Sequence, residues 1–431
     1  MELIWEGGIT LNQTDIDRTV TVREGTGTVI QQIGRTKPAL VAGKVVQAEY
    51  RSPFAAHAHL EPQAALADVQ TGGVKVWAST QFPELVKNDV AKAIGVKAET
   101  IEVQATFLGG GFGRKGKGDA ASEAARLSKG VGKPVHVGWN RSEEFRYGYL
   151  RPPTHSLLRA SLDPQGNILA FEHHQASGDV AFGFLPQFLE PIFGADFGAW
   201  RGCFIPYGVP HRLTTAQRTK IPVPTGWWRG LGLLANTFAL ESFMDELAAE
   251  AKADPLAFRL RHLPKDQTGE RLGKVLKAAA QQAGWGQPLP AGHALGIACC
   301  IDARTAVAEV AQVSVQDGQI VVHRVTAAID PGLVINPDGA KAQTEGSIVM
   351  GLSSIFHERL TLKDGQIEAA NFDQYPLITM KGVPAIEVVL LESGDEPFGM
   401  GEPPIGPIGA AVGNAVFALN GKRLREMPFQ I

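Results

Sequence analysis

The spacing of apolar and polar positions changes along the chain, and the changes divide it into alternating strands and helices. Residues 1 to about 40 are polar and irregular, with a turn-rich run over 22–28, and read as an N-terminal arm or linker. From Lys44 the two-residue alternation predicts strands over 45–50, 75–79 and 101–108, with a helix over 83–93 before the last of them. A glycine-rich turn follows, then a helix over 119–128 closed by Gly130 and a strand over 134–139. The segments 154–162 and 168–176 flank Asp163-Pro164-Gln165-Gly166-Asn167 and predict an antiparallel hairpin. Residues 178–223 are poorly periodic and rich in Phe, Gly and Pro, too apolar for a solvated linker, so they are expected to line a buried surface.

Order returns where Leu240, Phe243, Met244, Leu247, Ala248 and Ala251 follow the stripe of an amphipathic helix. Asp254-Pro255 ends that helix and starts a second one running to 263; a third spans 271–283. The stretch 285–292 reads as a seam between two domains. Beyond it come strands over 307–315 and 320–328 joined at Asp317-Gly318, and a helix capped by Asn336 with Pro337 at its first position. Short hairpin strands flank Asp364-Gly365, and a final helix spans 408–419. The texture is α+β.

Composition narrows the function classes. Lys plus Arg number 41 against 44 Asp plus Glu, so no positive surplus is available to grip a nucleic acid. No segment reaches the roughly 18 consecutive apolar residues that a membrane span needs. Nothing near Met1 pairs a basic stretch with an apolar run, which favours the cytoplasm, export beside a signal-bearing partner being the alternative. Cys203, Cys299 and Cys300 have no metal-ligand spacing and are expected to pack as small hydrophobes. His57, His59 and Glu61 lack a further ligand at sensible spacing, and His173 and His174 are strand neighbours that face opposite ways.

Glycine numbers 49 of 431 and clusters in short motifs, where it permits tight turns and close backbone approach. Leu108-Gly109-Gly110-Gly111-Phe112-Gly113-Arg114-Lys115 stands between a strand and a helix, a setting in which backbone N–H groups converge on an anion. Residues 111–118 also fit the phosphate-loop pattern up to Lys117, but Gly118 replaces the magnesium-binding hydroxyl. Glu402 stands alone among Gly399, Gly401, Pro403, Pro404 and Pro407, surroundings that would raise its pKa and suit a proton acceptor. Trp227-Trp228-Arg229-Gly230 offers two rings and a fixed cation for a pocket wall. Gln343 and Glu345 lie on a helix whose glycines permit close approach.

These segments together resemble the molybdopterin-binding subunit of the xanthine dehydrogenase family, most closely the large subunits of isoquinoline oxidoreductase and bacterial aldehyde oxidoreductases. The likeness runs from about residue 50 to 431 through the 52–65 and 78–83 segments, the glycine-rich turn, GWWRG, the helices near 239–263, the 335–346 segment and the turn at Glu402. It implies an arm over 1–40 and two elongated mixed α/β molybdopterin-binding units over 41–265 and 266–431, with the cofactor between them. The implied cofactor is a molybdenum-bearing molybdopterin in its cytosine dinucleotide form, which no residue of this chain ligates directly. Gln81, Gly111, Phe112, Gly113, Arg114, Arg229 and Gln343 would contact it, Trp228 and Leu231 would line the substrate pocket, and Glu402 would be the general base. Glu402 would take the proton in the hydroxylation of an electron-poor carbon, the cofactor would accept the hydride that the carbon gives up, and the two electrons would leave for [2Fe–2S] clusters on a small partner subunit.

The family's Gly-Gln-Gly segment and small αβ domain are not found, so the chain reads as half of a catalytic subunit, with a second molybdopterin-binding subunit completing the site. Leu231 stands where purine-oxidising members carry phenylalanine and Gly116 where they carry glutamate, which points to an aldehyde or N-heteroaromatic substrate. The competing expectations are a phosphate-loop nucleotide enzyme using Lys117 and a non-catalytic assembly subunit of the same fold.

Overall fold

The structure, a computed structural model, describes residues 8, 10–184 and 194–431. Parts of two expected features, the arm at 1–7 and 9 and the apolar stretch at 185–193, lie outside the described residues.

Three sheets carry the fold. The first runs in the order Thr28–Ile33, His211–Arg218, Ile168–Ser177, Thr154–Leu162, Lys44–Ser52, and the expected hairpin is its centre. The second runs in the order Ile101–Ala105, Gly73–Ala78, Ala64–Gln70, Val135–Gly138, with the helices Pro83–Ile94 and Asp119–Val131 sharing its core. The third runs in the order His293–Asp302, Thr305–Gln316, Gln319–Asp330, Ala385–Leu390, its last pair parallel. Helices Gln267–Ala283 and Ile408–Asn420 pack against it.

Several boundaries differ from expectation for identifiable reasons. The helix expected to stop at Gly130 continues to Val131, because Gly132 is the residue that adopts the left-handed cap. The arm is not irregular: it carries a helix, Gln13–Thr19, and the Thr28–Ile33 strand at the edge of the first sheet. His211–Arg218 was hidden by its polar text, and His293–Asp302 by an Ala- and Gly-rich text with little β-branched signal.

The helix expected to be amphipathic, Leu233–Glu250, is instead buried on nearly every side, including Glu241, Asp245 and Glu246. It lies inside the core that joins the first and third sheets. Its acids are matched by arginines from other segments. Arg259 Nε donates to Glu241 Oε2 at 2.8 Å, with both side chains fully buried. Arg423 donates to Asp245 at 2.6 Å and Arg425 to Glu246 at 2.6 Å. Burial works against the Arg259 cation, but Glu241 and the neighbouring Tyr207 and Asp245 hold it charged. Removing one member of such a buried pair costs about 3–5 kcal/mol, so this helix is a rigid post for whatever its first turn supports.

Glu309, on the central strand Thr305–Gln316, is fully buried and neither carboxyl oxygen has a hydrogen-bond partner among the described residues. Burial pushes its pKa well above the ordinary value of 4.5, so the folded protein keeps it protonated. An acid whose folded pKa is raised destabilises the fold as pH climbs past its unfolded value, by about 1.4 kcal/mol per pH unit until the folded pKa is reached. Glu309→Gln is therefore expected to be more stable than the parent at pH 8, with the gain shrinking toward pH 4.5. Urea unfolding at a series of pH values measures it.

Candidate functional site

One cavity of about 690 Å³ collects residues from four distant parts of the chain: Gln81 and Phe112, Trp227 and Arg229, Gln343, and Glu402. Each part is held there by local chemistry.

The glycine-rich turn leaves the strand Ile101–Ala105 and is tied down at both ends. Glu61 accepts the N–H of Gly109 at 2.8 Å and pairs with the buried Lys115. Burial would raise the Glu61 pKa, but Lys115 and the Gly109 N–H outweigh it and hold the carboxyl below its usual range. Gln81 donates its N–H to the Lys115 carbonyl at 3.0 Å, and its Oε1 accepts the Gly113 N–H at 2.9 Å. The N–H groups of Gly110, Gly111 and Phe112 make no hydrogen bond among the described residues. Phe112 itself sits at φ 55°, a conformation that a bulky residue holds only when its surroundings impose it.

Gly113 shows why the turn needs glycine. Its φ is +108°, and a Cβ there would stand 2.2 Å from the Trp227 carbonyl oxygen. That carbonyl also receives His57 Nε2. Burial pushes the His57 pKa down to about 3, so the ring is neutral and serves as a donor. His57 and His59 are buried in the irregular segment after Lys44–Ser52. His59 lies 3.4 Å from Glu144, and among the described residues no group of acids, histidines and cysteines could hold a metal ion.

The Trp-Trp-Arg-Gly segment precedes the buried helix Leu233–Glu250. Arg229 Nε donates to the Gly401 carbonyl at 2.7 Å, and its Nη2 donates to both Gln343 Oε1 at 2.8 Å and the Gln343 carbonyl at 3.1 Å. One guanidinium thus hooks the Glu402 turn to the helix Pro337–Phe356. Trp228 contacts the cavity, but it is 1% exposed and its Nε1 donates to the Ala56 carbonyl at 3.1 Å, so it backs the wall. Trp227 meets Phe82 edge-on at 5.8 Å and stacks on Phe184 at 4.9 Å. Leu231 joins the wall at φ 58°, a second strained non-glycine residue at one cavity.

Two expectations are corrected. Arg114 does not line this cavity: its guanidinium is buried, donates to Asp119 at 2.8 Å and lies 3.6 Å from Glu144, because those carboxylates neutralise it inside the second sheet's flank. Glu402 is not a lone carboxylate in apolar surroundings. It is 40% exposed and its Oε2 accepts from Arg201 Nη1 at 2.6 Å. Arg201 in turn donates from Nε and Nη2 to the two oxygens of Asp302, each at 2.5 Å. Lys117 lies over the Phe184 ring at 5.4 Å and the Gly118 N–H is taken by Asp89, an arrangement unlike a phosphate loop.

Arg201, Asp302 and Phe82 were missed by reasoning from sequence, whereas Trp227 stands in the wall as the Trp-Trp-Arg-Gly segment suggested. A signal for Arg201 existed: Trp200-Arg201-Gly202 repeats the triplet Trp228-Arg229-Gly230, and both glycines have positive φ.

Residues 22–263 match a family described as "Molybdopterin cofactor-binding domain", and residues 295–384 match a second family of the same description. The beta subunit of isoquinoline 1-oxidoreductase from Brevundimonas diminuta is 31% identical over 389 residues, 89% of this chain and 49% of that protein. A nicotinate dehydrogenase subunit from Pseudomonas putida is 29% identical over 412 residues, 90% of this chain and 34% of that protein. The chain thus spans half or less of the length of these two relatives. Quinoline 2-oxidoreductase from Pseudomonas putida 86 has the same fold, with a TM-score of 0.80 at 16% identity over 95% of this chain and 80% of that one.

Gly113→Ala adds a clash with Trp227 to the strain of positive φ, whereas Gly132→Ala, at φ +68° with no neighbour within 4 Å, adds strain alone. Urea unfolding is expected to show a loss of about 1 kcal/mol for Gly132→Ala and a clearly larger one, up to about 3 kcal/mol, for Gly113→Ala.

Proposed function

Because this chain belongs to the molybdopterin cofactor-binding domain family, we propose that it supplies the catalytic base and much of the cofactor cage of a molybdenum hydroxylase. The substrate is an aldehyde or an N-heteroaromatic carbon, hydroxylated with oxygen from water. The observation that carries the reading is the convergence of the glycine-rich turn, Arg229, Gln343 and Glu402 on one cavity.

The residues present fit a large anionic pterin. The unpaired N–H groups of Gly110, Gly111 and Phe112 suit its oxygens and sulfurs, and the glycines leave room for close approach. The side-chain oxygens of Gln81 and Gln343 are already engaged by Gly113 and Arg229, while their NH2 groups have no partner among the described residues. Two amide donors therefore face no competing protein acceptor. Gln81 and the turn at 111–113 would hold the cofactor's metal end, and Gln343 its pterin. When bound, the molybdenum-bearing pterin, in the cytosine dinucleotide form, supplies the two-electron oxidising centre.

The chain's own residues bind, orient and take the proton. Glu402 Oε2 is held by Arg201, and Oε1, with no hydrogen bond among the described residues, accepts the proton. Phe82, Trp227 and Leu231 give a flat, apolar seat that suits a planar ring and excludes water around it. Electrons pass to [2Fe–2S] clusters on a small partner subunit. A second molybdopterin-binding subunit completes the cage; Phe107, fully exposed, and Leu60, 79% exposed, stand beside the turn's start and offer it an apolar contact.

Glu402→Gln, expressed with the co-encoded partners, tests the reading. Turnover of an N-heteroaromatic or aldehyde panel is expected to fall by about 10²–10⁴-fold, the usual worth of a general base, while molybdenum and cytidine monophosphate content stay at parent levels. Turnover kept at the parent rate overturns the base assignment, and absence of both molybdenum and nucleotide from the parent complex overturns the class.

A further inference from the structure

Resting on the reading of Glu402 as proton acceptor, we infer that Arg201 is its positioning residue: a clamp anchored on Asp302 that holds one carboxylate oxygen and leaves the other for the proton. Nε and Nη2 of Arg201 are both spent on Asp302, one on each oxygen, which is the planar two-pronged match between guanidinium and carboxylate. That match fixes the plane of the group. The two N–H bonds of Nη1 are then confined to that plane, and Glu402 Oε2 accepts from Nη1 at 2.6 Å.

The clamp is stiff because its backbone is. Asp196, 2% exposed, accepts five N–H bonds of 2.8–3.1 Å, from Val180, Ala181, Phe182, Gly198 and Ala199. Asn236, on the first turns of the buried helix, donates to the carbonyls of Ala199 at 2.8 Å and Arg201 at 2.9 Å. Asp302 is the last residue of the strand His293–Asp302 and pairs with Thr305 across the hairpin. The clamp therefore ties a turn packed on the first sheet's side of the core to a hairpin of the third sheet, and Glu402 is where they meet.

Four groups set the charge around Glu402. Arg201 and Arg229 are cations, Asp302 is an anion already spent on Arg201, and the Cys300 thiol behind Pro403 is kept neutral by burial. With Arg201 in place two cations balance two carboxylates. Without it, two carboxylates share a site with Arg229 alone, and no guanidinium fixes the plane of either. Arg201 is thus needed for the aim of the base.

The test uses a probe that needs no cofactor. A water-soluble carbodiimide with glycine ethyl ester modifies carboxyls that no ion pair shields, and mass spectrometry of the peptide containing Glu402 reads the rate at pH 6 in the purified folded chain. Labelling of Glu402 is expected to be on the order of tenfold faster in Arg201→Met than in the parent, with Asp302→Asn between them and Arg201→Lys nearer the parent. Equal labelling in parent, Arg201→Met and Asp302→Asn overturns the inference. In the assembled complex, kcat in Arg201→Met is expected to fall on the order of 10²-fold with little change in KM or in molybdenum content. An unchanged kcat in an active complex also overturns it. A complex inactive even with the parent chain refutes the proposed function instead, while the labelling comparison still decides the role of Arg201.

Discussion

Leu233 is the steric fulcrum of the site. It is wholly buried at the first turn of a helix that ion pairs hold rigidly inside the core, and two Trp-Arg-Gly turns close against it. A Cβ on Gly202 would stand 3.1 Å from Leu233, and one on Gly230 would meet Ile405 at 2.7 Å and Leu233 at 3.6 Å. The turns are also joined to each other, since the Gly232 N–H donates to the Gly198 carbonyl at 3.0 Å. Because both arginines leave from this junction, their reach is set by core packing rather than by loop chance. Arg201 meets the side chain of Glu402, and Arg229 meets the carbonyl just before it.

This junction explains why residues so far apart in the chain act as one site. The glycine-rich turn belongs to the second sheet, yet it reaches the junction through Gly113, whose missing Cβ lets Trp227 lie against it. Gln343 arrives on a helix that Arg229 hooks directly. The strain at Phe112 and Leu231 is consistent with walls shaped for a ligand rather than for stability, since each costs about 1–3 kcal/mol that unstrained backbone would save. A buried post, two glycine-lined turns and a pair of guanidinium contacts are enough to hold the cavity open.

Much of this was legible in the chain. Period-two alternation located the central hairpin of the first sheet, and Asn336-Pro337 marked the start of the helix carrying Gln343 to the residue. The density of glycine around Phe112 and of proline around Glu402 flagged two backbones that do something other than pack, and the cavity joins them. What stayed hidden was tertiary. The amphipathic stripe in Leu233–Glu250 gave no sign that its acids are buried, because their arginine partners lie in other segments, and Arg114 stood among the expected cofactor contacts because Glu144, which neutralises it, comes from a different helix. Arg201 sat in a stretch without period, so nothing local announced that it reaches Glu402; only the repeated Trp-Arg-Gly triplet could have drawn attention to it.

The central claim is spatial: a metal-bearing pterin lies between the glycine-rich turn and Glu402. X-ray diffraction from crystals of the assembled complex, collected on both sides of the molybdenum absorption edge, tests it most directly. The account predicts an anomalous peak inside the cavity bounded by Gln81, Phe112 and Glu402. A molybdenum peak elsewhere in the complex, with that cavity filled by protein or solvent alone, would contradict it.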